Sequence, residues 1–250
     1  MDDSGRDRDQ VYSGAPRFET TRWSMVLSAR DGDSTEAFEA LGALCSTYWY
    51  PLYAFIRRKG HDAEAAQDLV QGFFTKLLEK GDLAAVRREK GKFRSFLMAA
   101  CTHFLANQLD HDRAKKRGSG RSPISIDRLA AEGRYGREPT HNLTAERVFE
   151  RQWALAMLDN VREALAAEMT RAGKARQFEA LRPALLGEAE RTPYAQIAAD
   201  LGLTEEAART AAHRLRRRYR ELLCDEVART LDDPSEVDAE IRSLFGSLAD

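Results

Sequence analysis

The chain has 250 residues, 39 Lys and Arg against 40 Asp and Glu, and a formal net charge of −1. With 43% hydrophobic and 32% charged residues it can bury packed cores in one or two helix-rich domains. A near-zero net charge excludes a polybasic nucleic-acid coat, and no apolar run reaches the roughly 20 residues that a membrane-spanning helix needs. The charge is segregated instead. His111 to Arg121 carries five Lys/Arg against one acid, and Asp225 to Asp250 carries eight acids against two arginines.

Residues 1–19 are polar, of mixed charge, and read as disordered; they lack the apolar core of a secretory leader. Helical spacing begins near Trp23, Val26 and Leu27 and continues through Phe38, Leu41, Leu44, Cys45 and Tyr48. Pro51 is expected to interrupt or kink this segment before Leu52, Phe55 and Ile56 resume it. Asp62 is placed to cap a helix over 63–80, whose apolar stripe is Ala66, Leu69, Val70, Phe73, Phe74, Leu77 and Leu78. A helix over about 92–116 follows, with Phe93, Phe96, Leu97, Ala100, Phe104 and Leu105 as its core face. Residues 118–143, rich in Gly and short of periodicity, read as a linker. Helices resume at Thr144 (Val148, Trp153, Leu155, Leu158, Val161, Leu165), stop at Gly173, and return with Phe178, Leu181, Leu185 and Leu186.

The most informative stretch is Thr192 to Leu223. Thr192 and Pro193 suit the start of a short helix on which Ile197, Ala198 and Leu201 share a face. Gly202 supplies a left-handed stop. Thr204 caps a second helix, with Glu205 and Glu206 at its positive end. Ala208, Ala212, Leu215, Tyr219 and Leu222 form its buried stripe. Six arginines and no acid fall between Arg209 and Arg220. Two capped helices around a glycine turn, the second basic, are the pattern of a helix-turn-helix DNA reader. Arginine pairs bidentately with guanine edges, and Arg and Thr both hold phosphates. The expected fold is all-α, two helical domains joined by a flexible linker, the second containing the helix-turn-helix. The tail 225–250 keeps helical apolar spacing (Val227, Leu231, Val237, Ile241, Leu244, Phe245) but is acidic. It is expected to pack as a terminal helix on the helix-turn-helix domain, or to shield the arginine face until a partner displaces it.

Cys45, Cys101 and Cys224 lie far apart with no zinc-type spacing, which points to free thiols in a reducing, cytoplasmic setting. No phosphate loop, dinucleotide fingerprint, zinc-protease motif or nucleophile elbow occurs, so neither an enzyme nor a cofactor is expected.

With these residues in view, the chain resembles the extracytoplasmic-function sigma factors, the smallest sigma subunits of bacterial RNA polymerase. The likeness covers about residues 20–224. YAQIAADLGLTEEAARTAAHRLRRRYRELL is similar to the family's region 4, which reads the −35 element, and implies a region 4 over 144–224. YPLYAFIRR, DAEAAQDLVQGFFTKLLEK and FRSFLMAACTHFLANQLDHDRAKKR are similar to region 2, and imply a region 2 over 20–117 that binds core polymerase and the −10 element. The resemblance implies Arg209, Thr210, His213 and Arg214 at the major groove, with Arg216, Arg217 and Arg220 on phosphates. Arg218 is left to an ion pair such as one with Glu221. It implies Asn107, Gln108 and His111 at −10 base edges, with Arg113, Lys115, Lys116 and Arg117 along the strand. Asp68 and Gln71 fall on the family's DxxQ motif, which docks on the beta-prime clamp; Gly72 stands where the family usually has an acid. The partners implied are core RNA polymerase and promoter DNA, with room for an anti-sigma factor and no membrane. A stand-alone helix-turn-helix repressor or activator is the alternative reading.

Overall fold

The computed structural model describes residues 35–79, 92–114, 128–136, 143–185, 193–231 and 233–249, with 35–46, 78–79, 109–114 and 128–130 described by backbone alone. Every regular element among the described residues is helical, in keeping with the expected all-α class. The helical turns expected around Trp23 lie outside the described residues.

Helix α1 spans Thr35–Arg58 and is continuous through Pro51, where an interruption or a kink was expected. Proline there removes one backbone bond and costs about 3 kcal/mol in a helix interior. Burial offsets that cost: Tyr48, Leu52, Tyr53, Ala54, Phe55 and Ile56 are all fully buried around it. Helix α2 spans Ala63–Glu79 and starts as expected, with the Ala65 N–H donating to Asp62 Oδ1 at 2.8 Å. Helix α3 spans Phe93–Ala114.

Helix α4, Arg128–Tyr135, lies inside the stretch expected to be linker. Eight residues with an internal glycine carry little periodicity, so what fixes it is tertiary. Glu132 accepts hydrogen bonds from Arg57 Nε (2.9 Å) and Nη2 (3.1 Å), and from the Tyr53 hydroxyl. The Arg57 guanidinium stacks on Tyr135, and that of Arg134 on Tyr50. Burial and the Glu132 hydrogen bond raise the Tyr53 phenol, so it stays protonated and keeps donating.

Helix α5, Ala145–Arg171, is capped by Thr144, whose hydroxyl accepts from the Arg147 N–H at 3.3 Å. Helices α6 (Ala175–Leu185), α7 (Tyr194–Leu201) and α8 (Glu205–Ala228) follow, then a 3-10 turn (Pro234–Glu236) and α9 (Val237–Ala249).

The buried side chains sort into two cores, and the sorting does not follow the boundary expected at 143/144. The first core gathers α1, α2, α3, α4, the first half of α5, the end of α8, and α9. Its largest fully buried members are Tyr48, Tyr53, Phe55, Phe93, Phe149 and Trp153. The second gathers Leu165 from the far end of α5 with Phe178, Leu181, Ile197, Ala198, Ala208, Ala212 and Leu215. Helices α5 and α8 therefore pass through both.

The acidic tail does not cover the arginine face. Helix α9 packs on α5 and the end of α8. Val237, Ile241, Leu244 and Leu248 face the first core. Glu240, one turn from Val237 and from Leu244 and only 1% exposed, is carried into the same interface. Its Oε1 accepts from Arg94 Nη1 at 2.7 Å, while Lys92 Nζ lies 2.6 Å from Oε2 in an ion pair poorly aligned as a hydrogen bond. Arg94, itself 6% exposed, also donates to Ser243 Oγ at 3.2 Å and sits 4.8 Å from the Trp153 ring centroid. A buried carboxylate needs a buried cation, and α3 supplies it.

Candidate nucleic-acid interface

The geometry of the basic face begins with the turn between α7 and α8. Ile197 and Ala198 are buried against α8, and the small Ala198 permits close approach. Gly202 adopts φ 66° and ψ 34°, a conformation that costs a side-chain-bearing residue strain. Its N–H donates to the Ala199 carbonyl at 3.3 Å and the Leu203 N–H to the Ala198 carbonyl at 2.9 Å, the paired bonds of a Schellman stop. The start of α7 differs by one residue from expectation: Pro193, at φ −58° and ψ 139°, occupies the cap position and Tyr194 opens the helix. Thr192 lies outside the described residues. Thr204 caps α8 as expected, its hydroxyl accepting from the Ala207 N–H at 3.2 Å. Ala208, Ala212 and Leu215 are buried, and Tyr219 and Leu222 pack against the core edge.

This burial fixes what α8 presents outward. Arg209, Thr210, His213, Arg214, Arg216, Arg217 and Arg220 are all exposed. Arg209, His213, Arg216 and Arg220 recur at i, i+4, i+7 and i+11 and so share one stripe. Thr210 and Arg214 lie beside it and line a shallow hollow with Gln177 of α6 and Leu203 of the turn. Arg217 is 69% exposed, with Glu221 at 3.6 Å. Arg218 is turned away, toward α5: Glu168 Oε2 accepts from its Nη2 at 2.9 Å and Glu221 Oε2 from its Nη1 at 3.2 Å. The Arg218 hydrogen bond holds Glu168 below the usual carboxylate range, and the same bond raises Arg218. Arg218 is thus a brace between α5 and α8, and the Glu221 pair expected from sequence is present.

The second group of expected contacts is less assembled. Asn107 is exposed on α3 and Gln108 half-buried. His111 and Arg113 belong to the last turn of α3, described by backbone alone; Lys115, Lys116 and Arg117 lie outside the described residues. Asn107 and His103 rim an apolar hollow of about 210 Å³ between α2 and α3, walled by Phe73, Phe96 and Phe104. Lys76 Nζ stands 5.5 Å from the Phe104 ring centroid at the same hollow. Sequence spacing assigned Phe93 and Phe96 to the core; Phe93 is fully buried, whereas Phe96 packs at the edge and forms a wall. On α2, Asp68 is exposed but Gln71 is buried at 8%, so the two do not share an open polar face. At Gly72 a Cβ would stand 3.4 Å from Phe104 Cζ, an ordinary contact, so packing does not by itself call for glycine there.

Cys101 is buried while His103 is exposed, so they do not form a pair, and burial pushes the Cys101 thiol up to about 12. Among the described residues no three His, Cys, Asp or Glu side chains are grouped to hold a metal ion, and no helix is long and apolar enough to cross a membrane. Comparison with protein-family models, with curated proteins and with solved structures returns no match.

Proposed function

We propose that this protein is a sigma subunit of the extracytoplasmic-function type, which joins bacterial core RNA polymerase and directs it to promoters. The observation that carries the reading is the α7–Gly202–α8 unit. A Schellman stop and a threonine cap set two helices around a three-residue turn, and the second offers seven polar or basic side chains outward. On this reading Arg209, Thr210, His213 and Arg214 meet −35 base edges, while Arg216, Arg217 and Arg220 hold phosphates. The α2–α3 region supplies the polymerase and −10 contacts. Asp68 is its exposed clamp-facing residue, and Asn107 stands at the mouth of an aromatic-walled hollow suited to an unstacked base. The reaction belongs to the polymerase, and this chain contributes binding.

The test is direct. The full-length protein is mixed with bacterial core RNA polymerase at low salt, and the complex is assayed for co-elution and for run-off transcripts from genomic DNA of the source. Co-elution with discrete transcripts supports the reading; a chain that never associates with core ends it.

One observation favours a second reading, a stand-alone helix-turn-helix repressor or activator. Helices α5 and α8 are common to both cores, so among the described residues the two cores are joined by helix rather than by a linker. A stand-alone regulator binds a specific duplex tightly without polymerase, and the same samples lacking core measure that affinity.

A further inference from the structure

We propose that Tyr194, the first residue of α7, is the positioning residue for the DNA-reading face, indexing Arg209 through its ring and Arg216 through its hydroxyl. The inference rests on the duplex-reading role proposed for α8 and adds a residue from the other helix.

The geometry is specific. Arg209 and Arg216 are seven residues apart, which puts them on one stripe of α8 about 10 Å apart along its axis. Tyr194 lies across that stripe. The Arg209 guanidinium sits 4.9 Å from the Tyr194 ring centroid, and Arg216 Nη2 donates a hydrogen bond to the Tyr194 oxygen. Glu205 closes the arrangement, accepting from Arg209 Nη2 at 2.5 Å and from Nε at 3.2 Å. Arg209 remains 61% exposed, so it is oriented without being covered. Having accepted from Arg216, the Tyr194 hydroxyl keeps its own proton for a further acceptor.

The consequence is preorganisation. An unsupported arginine has many rotamers, and ordering it on a base edge costs affinity by about three- to tenfold. A ring beneath the guanidinium removes part of that cost before DNA arrives. Ring and hydroxyl separate the two duties. The ring orients the arginine assigned to base edges, and the hydroxyl orients the one assigned to phosphate.

The experiment uses the full-length chain bound to bacterial core RNA polymerase and a library of duplexes with a randomised upstream segment. The base preference of retained duplexes is compared for the wild type, Tyr194→Phe, Tyr194→Leu and Arg209→Ala. Leucine keeps apolar packing against the second core but has no π face. The expected result is that Tyr194→Leu flattens preference at the same base pair as Arg209→Ala. Tyr194→Phe should keep that preference, with weaker binding at every sequence and a salt slope lower by about one phosphate contact. Tyr194→Leu keeping the wild-type preference, or Tyr194→Phe losing it, overturns the role of Tyr194 alone. A wild-type complex that enriches no sequence overturns the duplex-reading role, and this inference falls with it.

Discussion

The two cores are built from different materials. The first is aromatic and locked by charge: Trp153, Phe149, Tyr48 and Phe93 surround a region closed by Arg94 and Glu240. The second is small and mostly aliphatic, with Leu165, Leu181, Ile197 and Leu215 joined by the single buried aromatic Phe178 around alanines that let α7 and α8 approach. Larger apolar side chains bury more area and tie an element down more firmly. The basic face of α8 thus rides on the lighter of the two cores, and stiffness reaches it through α5 and α8 themselves.

That contrast can be broken, and the largest effect is expected at the charge lock. Glu240→Ala leaves Arg94 buried without a counter-charge and should cost about 3–5 kcal/mol, read by urea denaturation. An Arg94→Met/Glu240→Leu double variant should recover most of that loss, because an apolar pair needs no compensation. A single variant costing under about 1 kcal/mol would mean that the first core does not depend on the pair.

Next is Leu181→Ala in the second core, expected to cost about 3 kcal/mol through lost burial and the cavity left behind. The sharper readout is where the loss appears. Amide exchange should accelerate in α6 and α7 while α1 and the first half of α5 keep their protection. Uniform acceleration would make the two cores a single cooperative unit.

A smaller effect is expected at the turn. Gly202→Ala meets no atom within 4 Å, so its cost is backbone strain alone, about 1–2 kcal/mol in the thermal melt. The smallest expected effect is Glu168→Gln, which removes the Arg218 brace. Both side chains are more than a third exposed, so screening limits the loss to below about 1 kcal/mol at neutral pH. The sign follows from the direction of the shift. Arg218 depresses the Glu168 carboxyl, so its contribution is present above the ordinary glutamate range and is lost as pH falls through the folded value. Wild type and variant should therefore converge in acid; a gap that persists there would assign the loss to packing.

Legibility in the sequence divides along the range of the interactions. Asp62, Thr204 and Gly202 act on backbone groups within a few residues of themselves, and each does what its position predicts; Thr144, where helices were expected to resume, caps α5 in the same local way. What escaped depends on distant partners. Helix α4 exists because Glu132 meets Arg57 and Tyr53 some 75 to 79 positions earlier. Pro51 stays helical because its neighbours are buried from several sides. The docking of α9 turns on Glu240 finding Arg94, 146 positions away. A signal was present there: an acid at the helical spacing of Val237, Ile241 and Leu244 is out of place on an apolar stripe unless a cation waits opposite. For the basic face, exposure was readable from spacing, but the clasp of Tyr194 was not, since it joins one helix to the next.

The 27 residues of α5 form a rod about 40 Å long. Its base is gripped by α1 and α9, and its far end carries Leu165 into the second core. Such a rod is a lever: tilting it by about 5° at the base swings its tip by about 3–4 Å. A small displacement at the gripped end is therefore magnified where α5 enters the second core, on which the basic face of α8 rests.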